Sequence, residues 1–322
     1  MTSTDPGGGS RTATTQVNMH DFVPDIAFSH VLANFDRVAD RIGGGTAELR
    51  WIIEGTRASG APFTVNVRNK YANPFDVSFE AAVQPADQLF AITSNSYEAA
   101  EITRVGFIGS IDSDFTNYTI DSVLIRRPNG QFVPAPTSAP LQVVAGSRLN
   151  LRVKLRPYRE PTLVDADISV IVPPGTVGAL GSVDIFGGPG EFEPEEPANF
   201  DELLAQPTGV PPNDSVNATL SVEQETSTGL VTHVRTGRTV VDKVVVGSES
   251  FPVEVIAPRQ ARPGVVDGST WRLRSSLSTG PATTTFAFGL STDRKLMGDW
   301  DENGTLTPAI SAAAHGRCGA RR

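Results

Sequence analysis

An acidic turn near the C-terminus carries the residues whose types and spacing come closest to known chemistry. Residues 298–304 read GDWDENG, so side-chain oxygens occur at alternate positions and a glycine follows them. Calcium loops need oxygen ligands at such positions and a glycine at their sharp turn. We therefore predict a calcium site in which Asp299, Asp301 and Asn303 supply side-chain oxygens and Thr305 supplies its carbonyl oxygen. Calcium is the cofactor that the sequence suggests.

The ligand set of this turn is smaller than that of strong calcium sites. Ile310 stands where an EF-hand loop has its bidentate glutamate, and its side chain is apolar. The alternative is a β-turn stabilised by hydrogen bonds from the Asp and Asn side chains to the backbone.

Residues that could form a catalytic centre are sparse. The chain has four histidines, one cysteine (Cys318), no GxSxG motif and no HExxH motif. These features predict no thiol-based redox site and no familiar zinc site. We assign no catalytic residues and expect a non-catalytic protein. A Ser-His-Asp set can be assembled from distant positions, so a hydrolase with dispersed catalytic residues stays open.

Charge and hydropathy exclude two further classes of partner. The net charge is −9, which argues against binding to nucleic acids or to anionic membrane surfaces. No run approaches 18 apolar residues, so we predict no membrane span. The first ten residues lack the basic and apolar stretches of a signal peptide.

Hydrophobic periodicity predicts the elements around these residues. A helix is expected over 20–42, with Phe28, Val31, Phe35 and Ile42 on one stripe, and residues 43–45 (three glycines) are expected to stop it. Alternating patterns then predict strands near 47–54, 63–67, 102–108, 118–125, 149–155, 166–172, 218–222, 239–246 and 252–256. We also expect strands near 77–79 and 88–92, and a short helix over 200–204 that Asn199 caps.

These elements predict a mainly β fold with two antiparallel, immunoglobulin-like β-sandwich units, a short N-terminal helix and a partial propeller-type repeat. The expected divisions are a disordered segment 1–19, the helix and glycine stop 20–45, a β-sandwich region 46–178, a second β region with a linker and a short helix 179–258, a partial repeat 259–310 and a disordered tail 311–322.

Two family resemblances accompany these patterns. Residues 268–310, with Phe286-Ala287-Phe288-Gly289 before GDWDENG, resemble one FG-GAP/VCBS-type propeller repeat, in which Thr307 stands where an aspartate is usual. Such a repeat implies neighbouring blades. Residues 28–256 resemble the region downstream of the catalytic domain in actinobacterial secreted proteins of the SpoIVB-type S55 peptidase group. The helix ending in triple glycine, the strands at 49–55 and 62–69, and the segments 145–158 and 199–214 carry that resemblance.

The second resemblance implies an extracellular accessory region attached to a serine peptidase. We therefore expect a secreted, non-catalytic β region that binds a protein or a cell-surface ligand or acts as a scaffold. The alternative is a part of an S55-like serine peptidase whose catalytic domain lies elsewhere.

Overall fold

In a computed structural model of the chain, the structure describes residues 1–190, 194–257, 264–274, 281–298, 307–311 and 318–320. The fold is mainly β with several sheets and a short N-terminal helix, which confirms the predicted class. The chain divides into two compact units, Met1–Ile256 and Ala257–Arg322.

The N-terminal sheet is a five-stranded mixed sheet with two helices against one face. Its strands run in the order β2-β1-β5-β3-β4. The elements in chain order are β1 (Thr2–Thr4), β2 (Ser10–Thr12), a 3-10 turn (His20–Phe22), α1 (Val23–Ala39), β3 (Gly45–Arg57), β4 (Pro62–Asn73), α2 (Val77–Thr93) and β5 (Ala100–Asp112). Residues 1–19 were expected to be disordered, and the structure instead places β1 beside β5 through the pairs from Thr2↔Ile108 to Thr4↔Ser110.

Helix α1 follows the predicted apolar stripe in its middle, because Val31 and Phe35 of that stripe are buried, together with Ala27 one turn earlier. Its end differs from the prediction. The helix stops at Asp40, which adopts a left-handed conformation (φ 52°), before the glycines are reached. Ile42, expected on the buried stripe, lies beyond the helix and is exposed.

The prediction of strands near 77–79 and 88–92 is wrong, because residues 77–93 form α2. The Asp76 side chain accepts a hydrogen bond from the Phe79 amide and caps the helix. Ala81 and Leu89 are buried, whereas Phe79 and Phe90 are exposed. Apolar residues on both faces of a helix hide its period, which explains the error.

Residues 118–256, the two-sheet region, form two packed sheets. One sheet runs β10-β9-β6-β14 with β7 beside β6, and the other runs β13-β12-β11-β15-β8. Their elements are β6 (Tyr118–Arg126), β7 (Phe132–Pro134), β8 (Leu141–Val144), β9 (Arg148–Pro157), β10 (Val164–Ile171), β11 (Leu180–Gly187), α3 (Phe200–Gly209), β12 (Ser215–Thr226), β13 (Gly229–Val240), β14 (Val245–Val246) and β15 (Ser248–Ile256).

Alternate residues of both sheets meet in one hydrophobic core. Leu151 and Val153 of β9 and Leu220 and Val222 of β12 are buried in the same cluster. The strands expected after residue 112 in two separate β regions therefore share a core, while the strands before it belong to the N-terminal sheet.

Helix α3 joins the two-sheet region to the N-terminal sheet. As predicted, Asn199 caps it by accepting a hydrogen bond from the Glu202 amide at 2.9 Å. Phe200 is buried in the core of the N-terminal sheet, edge-on to Phe63 with ring centroids 5.5 Å apart. Beside this contact, Asp201 pairs with Arg57 at 2.6 Å.

The second unit contains two small sheets among its described residues. Their strands are β16 (Gly264–Asp267), β17 (Thr270–Leu273), β18 (Thr284–Ala287), β19 (Arg294–Gly298), β20 (Thr307–Ser311) and β21 (Cys318–Ala320). Trp271 is buried and stacks on Phe286 with ring centroids 6.2 Å apart. The tail expected to be disordered from residue 311 contains β21, which pairs with β20. Among the residues described, no helix has the length and hydropathy needed to cross a membrane.

Candidate binding groove on the N-terminal sheet

The face of the N-terminal sheet that points away from the helices carries a cluster of basic side chains. In β3, in β4 and in β5 from Arg104 onward, the odd-numbered residues pack under the helices, so the even-numbered residues form the opposite face. In the first residues of β5 this order is reversed, and Ile102 is buried. The strand register places Arg68 beside Arg50 and Arg50 beside Ile108. Two rows away on the same face, beyond the pair Ile52–Gly106, Arg104 lies opposite Glu54. We call this surface the arginine face.

One end of the arginine face is fixed to the two-sheet region. Asp214, which precedes β12 and is fully buried, forms an ion pair with Arg68 and lies 3.8 Å from the Lys70 ammonium nitrogen. The backbone N–H of Asn213 donates a hydrogen bond to Asn69 Oδ1 at 2.8 Å. Lys70 Nζ donates a hydrogen bond to the backbone carbonyl oxygen of Asp242. These contacts make this end a structural junction.

Glu48 connects the junction to the exposed part of the face. Arg68 donates to both of its carboxylate oxygens at 3.1 Å, and Arg50 approaches Oε1 at 3.1 Å. The hydrogen bonds from Arg68 hold the pKa of Glu48 below its ordinary value, against the opposing effect of burial. Arg50 and Arg68 therefore share Glu48, and Arg68 has Asp214 as a second carboxylate partner.

Away from the junction, a groove of about 920 Å³ runs along the arginine face and around the free edge of β5. We call it the β5 groove. It is lined on one side by Arg50, Arg68, Arg104 and Ile108, and on the helix side by residues that include His30. No aspartate or glutamate occurs among the described residues that line it, although the protein is acidic overall. Its volume lies at the upper end of the range for small-ligand sites.

Two of the groove arginines are held loosely. The side chain of Arg50 is 66% exposed, and that of Arg104 is 69% exposed with a single contact to Glu54 at 3.3 Å. Exposed ion pairs of this kind are weak, so both guanidinium groups keep most of their capacity to bind an anion.

The edge of β5 that borders the groove is open. Strand β1 pairs with β5 only at Ile108–Ser110, so over 100–107 no other described strand pairs with that edge. A bulge shapes this edge, because Glu54 pairs with Arg104 and Gly55 pairs with Ile102, which leaves Thr103 as the extra residue. The regular part of the open edge is therefore 104–107.

The groove also contains a histidine–hydroxyl contact. His30 Nδ1 lies 2.9 Å from Thr15 Oγ1, and burial lowers the pKa of His30. Nucleophilic catalysis also needs a group that orients the base. No carboxylate hydrogen bond or ion pair to His30 occurs among the described residues, so the pair lacks this third member.

The predicted calcium ligands Asp299, Asp301, Asn303 and Thr305 all lie outside the described residues. Within the described part of the chain, no group of three acidic, histidine or cysteine side chains could hold a metal ion. The residues that flank the predicted loop end β19 at Gly298 and begin β20 at Thr307.

The groove was not anticipated from the sequence, although part of its signal was readable. Arg50 and Arg68 occupy polar positions of two strands whose alternation is clear. Their pairing across the hairpin follows from the register, which places these two like charges side by side. Like charges directly opposite each other destabilise a sheet, and such a pair points to a function at that surface.

Comparisons with known proteins give no further assignment. No protein-family model, no curated protein and no solved structure matches this chain.

Proposed function

We propose that this chain is a non-catalytic binding region that takes an anionic ligand in the β5 groove. The observation that carries the proposal is the lining of the groove, with three arginines and no carboxylate among its described residues. A groove with one sign of charge raises the local concentration of ligands of the opposite sign. Glu48 and Glu54 lie beside the groove and pair with Arg50 and Arg104, so an anionic ligand would compete with these two exposed ion pairs.

The predicted place of the chain within a secreted protein is compatible with this proposal. An accessory region beside a peptidase would act by holding a protein or cell-surface ligand, and the groove offers a surface for that task. Extracellular location, attachment to a peptidase domain and the propeller-type repeat remain proposals that rest on the family resemblances.

Binding of fluorescein-labelled poly-L-glutamate, followed by fluorescence anisotropy, tests the proposal. We expect binding at low ionic strength and a clear loss in 0.5 M salt, at which the screening length falls below about 5 Å. The double variant Arg50→Gln/Arg104→Gln should weaken binding about tenfold or more. The matched control is Arg235→Gln, because Arg235 is exposed on β13 and does not line the groove.

Equal binding by the double variant and the control would contradict the proposal, as would an absence of binding at low salt. A fluorophosphonate probe addresses the hydrolase alternative in the same preparation. Labelling of one serine or threonine that disappears when the protein is unfolded would show a nucleophile and overturn the non-catalytic assignment.

A further inference from the structure

The open edge of β5 narrows the chemistry of the ligand. Alternate residues of a strand direct their backbone N–H and C=O groups toward the same neighbouring strand. In β5, the edge over 104–107 faces the groove and meets no strand of the described chain. Edges of this kind are templates for another strand, and natural proteins normally block them.

Beside this edge, the groove offers charge on one face and apolar surface on the other. Arg50 and Arg104 project on the arginine face, together with exposed Ile108. On the helix side, the groove is lined by Val23 and Phe107. A strand added to the edge would place alternate side chains on these two faces, so acidic and apolar residues in alternation would suit it.

We propose that the ligand of the β5 groove is an acidic protein segment in extended conformation, which adds to the sheet as a strand beside 104–107. This inference rests on the proposed function, because it names the ligand class of the same groove. Backbone hydrogen bonds to the open edge would supply affinity, and the arginines would select acidic side chains. A flexible polyanion without regular backbone pairing would use the arginines alone.

The bulge at Thr103 sets the length of the contact. Bulges interrupt the regular ladder and bend the strand. The regular open edge begins at Arg104, after the bulge at Thr103. It ends at Phe107, because the next residue, Ile108, is paired with β1. We therefore expect a short core of pairing, about four residues, at about 3.3 Å per residue.

The test uses a fluorescein-labelled octapeptide of alternating valine and glutamate and the full-length protein. Two comparison peptides are needed: one with lysine in place of glutamate, and one in which every backbone amide nitrogen of the valine–glutamate peptide is methylated. We expect the first peptide to bind, and each comparison peptide to bind about tenfold more weakly or worse. The Arg50→Gln/Arg104→Gln variant should lose affinity, and Arg235→Gln should not.

Hydrogen exchange measured by mass spectrometry locates the contact. Amides in the segment 100–108 should exchange more slowly when the valine–glutamate peptide is bound, with little change in β13. Equal binding of the methylated peptide, or binding without protection of 100–108, would overturn strand addition and leave the anion-binding proposal intact.

Two further outcomes would also count against this inference. Protection of 100–108 that rises with protein concentration in the absence of peptide would assign the edge to a second copy of this chain. Failure of both poly-L-glutamate and the valine–glutamate peptide to bind would overturn the inference together with the proposed function.

Discussion

Two sheet faces of this protein carry rows of basic side chains, and they differ in how those charges are used. On the outer face of the two-sheet region, Arg152 meets Asp167 through two hydrogen bonds of 2.7 and 2.9 Å, and it also lies 3.2 Å from Asp165. On the arginine face, Arg50 and Arg68 share Glu48, and Arg104 has one longer contact.

The difference lies in the partners across the strands. Strands β9 and β10 place opposite charges side by side, with Arg152 directly opposite Asp167 and Lys154 opposite Asp165. Strands β3 and β4 place Arg50 opposite Arg68, whereas the other charged pairs of this face, Glu48–Lys70 and Glu54–Arg104, are of opposite sign. The contrast between the two faces therefore rests on Arg50 and Arg68. Cross-strand pairs of opposite charge stabilise a sheet and occupy each other, whereas like pairs leave charge available. The presence of arginines is therefore a poor guide to a binding surface, and their cross-strand partners are a better one.

The largest effect is expected where the arginine face is tied to the two-sheet region. Asp214→Asn removes the charge of a fully buried carboxylate that pairs with Arg68. We expect a loss of about 2 to 3 kcal/mol in the free energy of unfolding, less than for a pair in which both partners are buried, because Arg68 is partly exposed and keeps Glu48. Urea denaturation measures the change. The control is Asp87→Asn on the exposed side of α2. An effect no larger than that of the control would show that the junction does not depend on this ion pair.

A smaller effect is expected at Glu48, where substitution should lower stability and raise affinity for the anionic ligand. Glu48→Gln should lower the free energy of unfolding at pH 7 by about 1 kcal/mol, because two arginines lose their shared carboxylate. The same variant should bind poly-L-glutamate about threefold more tightly, since the face becomes more positive. If stability and affinity change in the same direction, the view that Glu48 competes with the ligand is wrong.

Glu48 also makes the free energy of unfolding of the wild-type protein depend on pH in the acidic range. Its pKa in the folded protein lies below its ordinary value of 4.5, so its stabilising contribution is present above about pH 4.5 and is lost as the pH falls further. Urea midpoints measured from pH 7 to pH 3 should therefore fall less steeply for Glu48→Gln than for the wild type. Parallel curves would exclude Glu48 as a source of the dependence.

The smallest effect is expected on the two-sheet region, and it tests the role of pairing directly. Asp165→Asn/Asp167→Asn should release Arg152 and Lys154 from their partners. We expect a change of less than about 2 °C in melting temperature, because exposed pairs contribute little. In an Arg50→Gln/Arg104→Gln background, the released charges should create weak binding of poly-L-glutamate. Absence of new binding would mean that pairing alone does not distinguish the two faces.

Much of the fold was readable from the sequence where one face of an element is apolar and the other polar. The alternation in β9 and the stripe of α1 are of this kind, and both elements form where they were predicted, although α1 ends before Ile42. Helix α2 was missed because exposed Phe79 and Phe90 lie opposite its buried face and Pro85 lies inside it. The Asp76 cap was a readable signal for this helix.

The candidate site was less predictable than the fold. The positions of Arg50 and Arg68 on one face follow from strand periodicity, but the open edge of β5 depends on where β1 stops pairing. That contact joins residues about a hundred positions apart in the sequence, and local patterns carry no information about it. The predicted calcium loop rests on local spacing alone and stays a prediction.

The position of α3 in the chain has a consequence for biosynthesis. Strand β4 and α2 are made early, but Phe200, which fills the space beside Phe63, follows only after seven further strands have been synthesised. Until then the nascent N-terminal sheet exposes an aromatic side chain that the finished protein buries. Because the covering residue arrives from a helix between β11 and β12, the early half of the protein completes its core only when the later half is being folded.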